Sequence, residues 1–231
     1  MVPPIKLFDK GKPNESMMKI IPANSRTPEK VMGDLRALIA ACNVGSARIL
    51  DLGRKYGHDE LFAITSELMD YSERRTRQEI EKLPPGIYEG SFIIDDDGVT
   101  VKPEGYTVKV KMRVEGSSFQ ADFTGTSPQA RGPINAATSQ ATSGILFALR
   151  SQIDHSIPMN EGCYRPLDII LPPGTLVNPR PPAPFNSRMA TVMAVIEAML
   201  RGLSGASPEK AVAASGNVHV YTMNGVEQDS G

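Results

Sequence analysis

Apolar residues recur at a helical spacing in the first third of the chain. A helix is predicted to begin after Thr27, because threonine is a good N-cap and Pro28 suits the first helical position. Residues 45–46 (Gly-Ser) are expected to interrupt this helix, and Gly57 is expected to end it. Its apolar stripe, predicted to be core throughout, consists of Val31, Leu35, Leu38, Cys42, Ile49 and Leu52.

A second helix is predicted to follow directly. Asp59 is a suitable cap, and one face of this helix carries Leu61, Ile64, Leu68 and Tyr71. Residues 84–86 (Pro-Pro-Gly) then break the pattern. Residues 1–26 contain Pro3, Pro4, Pro13 and Pro22, and they are expected to form a loop. The first predicted region, residues 1–85, is therefore an N-terminal loop followed by a helical hairpin.

The hydrophobic period changes to two after residue 86. Residues 87–94 are typical of a strand, and Asp97-Gly98 is a hairpin signal. A second strand has one apolar face made of Val108, Val110, Met112 and Val114, with charged residues between them. A third strand directs Phe119, Ala121 and Phe123 to the core. Residues 86–126 are therefore predicted to be an antiparallel sheet.

The last region, residues 127–231, mixes helices with long loops. One helix is predicted from about Asn135 to Ile153, and another from about Met189 to Leu203. The Pro- and Gly-rich stretch between them, residues 154–188, holds one short apolar strand at 167–171, and loops of this length are usually functional. A strand-like segment follows at 218–221. The predicted fold class is α+β: a helical hairpin, an antiparallel sheet and a helix-plus-long-loop region.

Composition and charge narrow the possible classes of function. The chain has 231 residues, with 25 Lys plus Arg against 26 Asp plus Glu, so its formal net charge is -1. This balance argues against a dedicated nucleic-acid or membrane-surface binder, which usually has a basic excess. Two cysteines cannot form a disulfide framework, and no apolar run reaches the roughly 18–20 residues of a membrane span. A cytoplasmic location is the prediction.

Familiar catalytic motifs are absent from the sequence. It contains no GxxxxGK[ST] phosphate loop, no GxGxxG, no HExxH, no CxxC pair and no GxSxG elbow. The histidines at 58, 155 and 219 are far apart, so a shared metal site is disfavoured. Residues 95–97 (Asp-Asp-Asp) allow a calcium-loop interpretation, but the early Gly98 favours a turn. Cys163 is either a nucleophile or, as we favour, an ordinary loop cysteine.

Three polar clusters are the candidate substrate-binding residues. Arg131 and Asn135 stand where a Gly-rich loop enters a helix, and the exposed N–H groups there can bind an anion or a carbonyl oxygen. For Asn135, the interpretation we favour is a cap of that helix. The second cluster consists of Asn160, Glu161 and Arg165 in the long loop. The third is Arg26, with Asn24, before the first helix. Ordinary loop hydrogen bonding is the alternative for each cluster.

A resemblance to the hydantoinase B/oxoprolinase family rests on short strings spread over the chain. They are Ile5-Lys6-Leu7, Asn24-Ser25-Arg26, Gly33-Asp34-Leu35, Tyr56-Gly57, Leu83-Pro84-Pro85-Gly86-Ile87-Tyr88, Asp122-Phe123-Thr124-Gly125-Thr126, Gly132-Pro133-Ile134-Asn135, Ile157-Pro158-Met159-Asn160-Glu161-Gly162, Leu171-Pro172-Pro173-Gly174 with Thr175 to Pro179, and Pro182-Ala183-Pro184. Their order and spacing make the set more specific than any single string.

The resemblance implies part of the B-type subunit of an ATP-dependent hydantoinase or 5-oxoprolinase that hydrolyses a cyclic amide. It further implies an ATP-binding A-type partner subunit, an oligomer, and a divalent metal on a front half that this chain lacks. No cofactor or metal is expected on this chain, which we expect to be truncated at both ends and inactive alone. Two alternatives stay open: part of an ATP-dependent ketone carboxylase, and a non-catalytic interaction module.

Overall fold

A computed structural model describes residues 4–211 and divides the chain into two compact units, Met1–Thr65 and Ser66–Gly231. The predicted strand at 218–221 and His219 lie outside the described residues. Among the described helices, none combines the length and the apolar character needed to cross a membrane.

The first unit begins with two short paired strands and a helix. Strands β1 (Phe8–Asp9) and β2 (Lys12–Pro13) are antiparallel, and helix α1 (Glu15–Ala23) follows them. The Asn14 side chain accepts a hydrogen bond from the amide of Met17 at 3.3 Å and so caps α1. The prediction that residues 1–26 form only a loop is therefore wrong. Pro22 has no amide to donate to the Met18 carbonyl, and α1 ends one residue later at Ala23.

Helix α2 (Pro28–Tyr56) begins and ends where the sequence predicts, and α3 (His58–Ile80) begins directly after Gly57. The predicted interruption at residues 45–46 is wrong, because one internal glycine costs a long helix only about 1 kcal/mol relative to alanine. The apolar stripe of α2 is not a core within this unit, since Leu38 is 65% and Ile49 62% exposed. The core assignment of Cys42 is also wrong, since that thiol is exposed.

The second unit is built on a four-stranded sheet in the order β3-β4-β5-β6. Its strands are β3 (Gly86–Ile94), β4 (Tyr106–Glu115), β5 (Ser118–Asp122) and β6 (Leu167–Ile170). The first three strands are antiparallel neighbours as predicted, whereas β6 pairs with β5 in parallel, so the sheet is mixed. The alternation of β4 and β5 is confirmed, because the predicted core residues of both strands are buried: Val108, Val110, Met112, Val114, Phe119, Ala121 and Phe123.

Two helices cover the apolar face of this sheet. Helix α5 (Met189–Leu203) has the predicted bounds and packs on β3 and β4, and helix α4 (Thr138–Arg150) packs on α5. Residues 95–105 join β3 to β4, with Gly98 at a φ of 74°, so the predicted hairpin is present with a longer connection. The fold is α+β, as predicted, and its long loops gather where α4 and α5 begin.

Candidate functional site

Two Gly/Pro-rich segments, residues 123–137 and 171–188, pack against each other and are here called the loop cluster. Four backbone hydrogen bonds join them: Leu176 N to Ser127 O at 3.1 Å, and Gln129 N to Gly174 O, Ala136 N to Leu176 O and Ser187 N to Pro133 O, each at 2.9 Å. Helices α4 and α5 begin directly after these segments, and neither has an acidic residue in its first turn. The loop cluster is therefore a fixed feature of the fold, although it has little regular secondary structure.

Asn135 is completely buried at the centre of the loop cluster. Its Oδ1 accepts a hydrogen bond from the amide of Ala130 at 2.8 Å, and its Nδ2 donates to the carbonyl oxygens of Ala130, Gly132 and Pro184 at 3.0–3.1 Å. The predicted capping role is wrong, because α4 begins three residues later at Thr138. In this geometry the Asn135 amide holds both segments of the loop cluster together through backbone groups.

Asp97 supports the same loop from the connection between β3 and β4. Its Oδ2 accepts hydrogen bonds from the Gly132 amide and the Tyr106 hydroxyl, each at 2.8 Å. Its Oδ1 accepts from the amides of Val99 at 3.0 Å and Thr100 at 2.6 Å. Burial raises the pKa of the Asp97 carboxyl, but these hydrogen bonds outweigh burial and hold that pKa well below its usual range. The carboxylate is therefore ionised while it anchors the loop.

Glycine is the only residue type that fits at position 132. A Cβ on Gly132 would overlap the backbone carbonyl of Asp97. Since neither backbone can give way without breaking the hydrogen bond between Asp97 and the Gly132 amide, this close approach requires glycine. The sequence analysis missed this pairing because the two residues stand 35 positions apart.

Arg131 lies between Ala130 and Gly132, whose backbone amides are bound by Asn135 and Asp97. Its side chain is exposed. Two further exposed arginines, which the sequence analysis missed, lie on the second segment of the loop cluster: Arg180 and Arg188. The Gln129 side chain exchanges two hydrogen bonds with the Arg180 backbone, at 2.7 and 3.2 Å. The amide of Ser187 donates to Pro133 O at 2.9 Å. The three arginines therefore belong to one loop cluster, although Arg131 lies about 50 residues before the other two in sequence.

The second predicted polar cluster contacts α3. Asn160 Oδ1 accepts from the Gly162 amide at 2.9 Å, and its Nδ2 donates to the Ser72 hydroxyl at 2.8 Å. Arg165 forms ion pairs with Asp70 at 2.6 Å and Glu73 at 3.1 Å. The Arg77 and Arg165 guanidinium groups together lower the pKa of the Glu73 carboxyl. These contacts attach the loop before β6 to the helix, which is a structural role.

The remaining predicted site residues lie outside the two segments of the loop cluster. Glu161 is exposed beside Asn160, and Arg26 is exposed in the first unit, between α1 and α2. Cys163 is buried; its thiol donates to Pro158 O at 3.3 Å, and Arg150 Nη1 lies 3.8 Å from the sulfur. The substrate-binding role of all six predicted residues stays a prediction: Arg26, Arg131, Asn135, Asn160, Glu161 and Arg165.

The described residues do not converge into a divalent metal site. Across residues 4–211, no group of three or more His, Cys, Asp or Glu side chains is arranged to hold a metal ion. His58 and His155 are both exposed and lie in different units. The three consecutive aspartates do not converge, because Asp97 is buried among amides while Asp95 and Asp96 are exposed.

These features define a class of protein: an α+β scaffold whose long loops are held in place by buried polar side chains. Within that class, the chain belongs to the hydantoinase B/oxoprolinase family, whose family model matches residues 1–231.

The relatives include proteins that are much longer than this chain. A Pseudomonas sp. (strain NS671) protein, provisionally named as the B component of a D-/L-hydantoinase, is 35% identical over 98% of this chain and 40% of its own length. The beta chain of the Pseudomonas jessenii caprolactamase is 31% identical over 97% of this chain and 38% of its own length. The chain therefore spans about two-fifths of these relatives.

Two solved structures share the fold. The ATP-dependent caprolactamase from Pseudomonas jessenii superposes with a TM-score of 0.83 at 29% identity, covering 90% of this chain and 36% of the other. A nucleotide-free acetone carboxylase superposes with a TM-score of 0.76 over 89% of this chain and 29% of the other. The acetone carboxylase is only 21% identical, so that likeness concerns the fold alone.

Proposed function

We propose that this chain works as part of the B-type subunit of an ATP-dependent hydrolase of cyclic amides. The observation that carries the proposal is the similarity to an ATP-dependent caprolactamase over 90% of the chain at a TM-score of 0.83. The family match over residues 1–231 and the hydantoinase and 5-oxoprolinase names of other relatives support the same reaction class. In this proposal an A-type partner subunit holds the ATP, within an oligomer located in the cytoplasm.

The chain's contribution is to position a substrate. An unactivated amide is a poor electrophile, so the energy for opening the ring comes from the partner subunit. A rigid loop that holds the substrate in a reactive orientation, or donates hydrogen bonds where charge develops, lowers the remaining barrier. Arg131 is our candidate for direct contact because its side chain is exposed. Asp97 and Asn135 fix the backbone on either side of it.

The test combines a B-type subunit carrying this sequence with an ATP-binding A-type subunit. ATP hydrolysis is measured with caprolactam, hydantoin and 5-oxoproline, and separately with acetone plus bicarbonate. We expect phosphate release that depends on one of the cyclic amides, and opened-ring product in equal amount. Turnover with acetone and bicarbonate alone would instead establish the carboxylase alternative, and no turnover with any compound would favour a non-catalytic module.

A matched pair of variants tests the role of the loop cluster. Arg131→Gln removes the exposed guanidinium, and Arg36→Gln removes an exposed guanidinium from α2 in the other unit. We expect the first variant to lower kcat/KM about tenfold or more, because a hydrogen bond to a charged group is worth about 1.5–3 kcal/mol. The second should leave kcat/KM unchanged. Equal kcat/KM in both variants and the parent would remove Arg131 from the site.

A further inference from the structure

The loop cluster carries a concentration of positive charge. Residues 123–137 and 171–188 contain Arg131, Arg180 and Arg188, and neither segment contains an aspartate, a glutamate or a lysine. All three arginines are exposed, and none forms an ion pair within the part of the chain that the structure describes. Elsewhere in the same unit, Arg75, Arg77 and Arg165 are paired with carboxylates, whereas Arg113, Arg150 and Arg201 form no ion pair within the described range.

The fold, rather than chance proximity, sets the positions of these arginines. The backbone of Arg180 is fixed by two hydrogen bonds to the Gln129 side chain, and Ser187, next to Arg188, is fixed to Pro133. Positions 129 and 133 flank Arg131 on either side. Two carboxylates touch these segments, Asp97 at Gly132 and Asp122 at Thr124. Both bind backbone amides of the segments, so neither neutralises an arginine through an ion pair.

We propose that the loop cluster is an anion-binding surface whose ligand is a small molecule with a carboxylate or phosphoryl group. Guanidinium groups suit both ligands, because their planar N–H donors match the geometry of carboxylate and phosphate oxygens. The proposal rests on the proposed function and adds a substrate class to it. A cyclic amide that carries its own carboxylate binds here through that group, whereas an uncharged lactam offers the arginines no anionic group of its own.

Binding measurements on the purified 231-residue chain test the proposal without turnover. Isothermal titration calorimetry compares 5-oxoproline, its uncharged analogue 2-pyrrolidinone, and inorganic phosphate. Saturable binding of 5-oxoproline but not of 2-pyrrolidinone or phosphate identifies the substrate carboxylate as the ligand. Saturable binding of phosphate identifies a phosphoryl group. Either result supports the anion surface, and binding should weaken as salt is raised because exposed charges are screened.

Glutamine variants assign any binding to the arginines. We expect Arg131→Gln, Arg180→Gln and Arg188→Gln each to weaken anion binding about tenfold, while Arg36→Gln leaves it unchanged. The side chains of the three arginines make no hydrogen bonds within the described residues, so circular dichroism should show the parent fold in every variant. Absence of saturable binding by both anions, or equal binding by all variants, overturns the proposal even if the assembled enzyme hydrolyses a lactam.

Discussion

Replacing Asp97 by asparagine tests the anchor of the loop cluster directly. The substitution keeps the side-chain shape but removes the charge and turns one acceptor oxygen into an NH2 donor. The Tyr106 hydroxyl can rotate to accept from that donor, whereas the Gly132 amide cannot and is left facing another N–H. The remaining amide bonds to Val99 and Thr100 weaken because their acceptor is no longer charged.

The expected cost follows from these contacts. Losing a hydrogen bond to a charged acceptor and leaving a buried amide unsatisfied costs about 1.5–3 kcal/mol, and two weakened bonds bring the total to about 2–4 kcal/mol. The free energy of unfolding is measured by urea titration followed by far-ultraviolet circular dichroism, with the slope compared between variants. Asp95→Asn is the control, since Asp95 is exposed and accepts no hydrogen bond from the described residues. A loss below about 1 kcal/mol for Asp97→Asn would refute the anchoring role.

The pH dependence gives a second readout of the same residue. An unfolded aspartate has a pKa near 3.9, and the folded pKa of Asp97 is lower. The ionised carboxylate therefore stabilises the fold above about pH 4, and this stability is lost as the pH falls towards the folded pKa. We expect the unfolding free energy of Asp97→Asn to vary less than that of the parent below pH 4. Parallel curves for the two proteins would contradict this account.

Three further predictions concern other described residues. Asn135→Ala should lower the unfolding free energy by about 2–3 kcal/mol, as measured by urea titration, because it leaves a buried backbone amide unpaired; an unchanged value would leave the Asn135 side chain free for substrate. Gly162→Ala should destabilise strongly, since its Cβ would overlap the Met69 carbonyl, whereas Gly33→Ala, with no atom within 4 Å, should stabilise α2 by about 0.5–1 kcal/mol; thermal melts that rank the two variants the other way would refute this. Native protein should react with a thiol reagent at Cys42 only, and at Cys163 as well after unfolding; two fast thiols in the native state would contradict the buried position.

Local sequence pattern predicts the elements whose signal is local. The α5 bounds match because apolar residues recur at helical spacing over Met189–Leu203, and β4 matches because its alternation is unbroken. Helix α1 escapes prediction because prolines usually break helices, although Pro22 stands at the helix end and Asn14 supplies a cap. The exposure of Cys42 is also not predicted from the sequence. A helical stripe of apolar residues indicates an apolar face, but it does not indicate whether other residues of the same unit cover that face.

The candidate site is harder to predict because its contacts are distant in sequence. The pattern of a loop that enters a helix points to Arg131 and Asn135. Their surroundings depend on distant partners, however: Asp97, which binds the Gly132 amide, lies 35 residues before it, and Pro184, which Asn135 binds, lies 49 residues after Asn135. Asp97 alone suggests a turn, because a run of aspartates next to glycine is typical of one. Single-sequence patterns carry no information on which distant backbone groups a buried side chain will bind.

The parallel pairing of β5 with β6 has a consequence for how this unit acquires its structure. Residues 123–166 lie between the two strands and include all of α4. Pairing Phe119 with Leu167 therefore closes a long loop of chain. Loop-closure entropy opposes such a distant pairing until the intervening residues are ordered. The β3-β4-β5 meander can form from neighbours alone, and β6 would join it late. A refolding experiment with pulsed amide exchange should show protection at Val110 before protection at Ile170, whose position in the parallel ladder directs its amide towards β5.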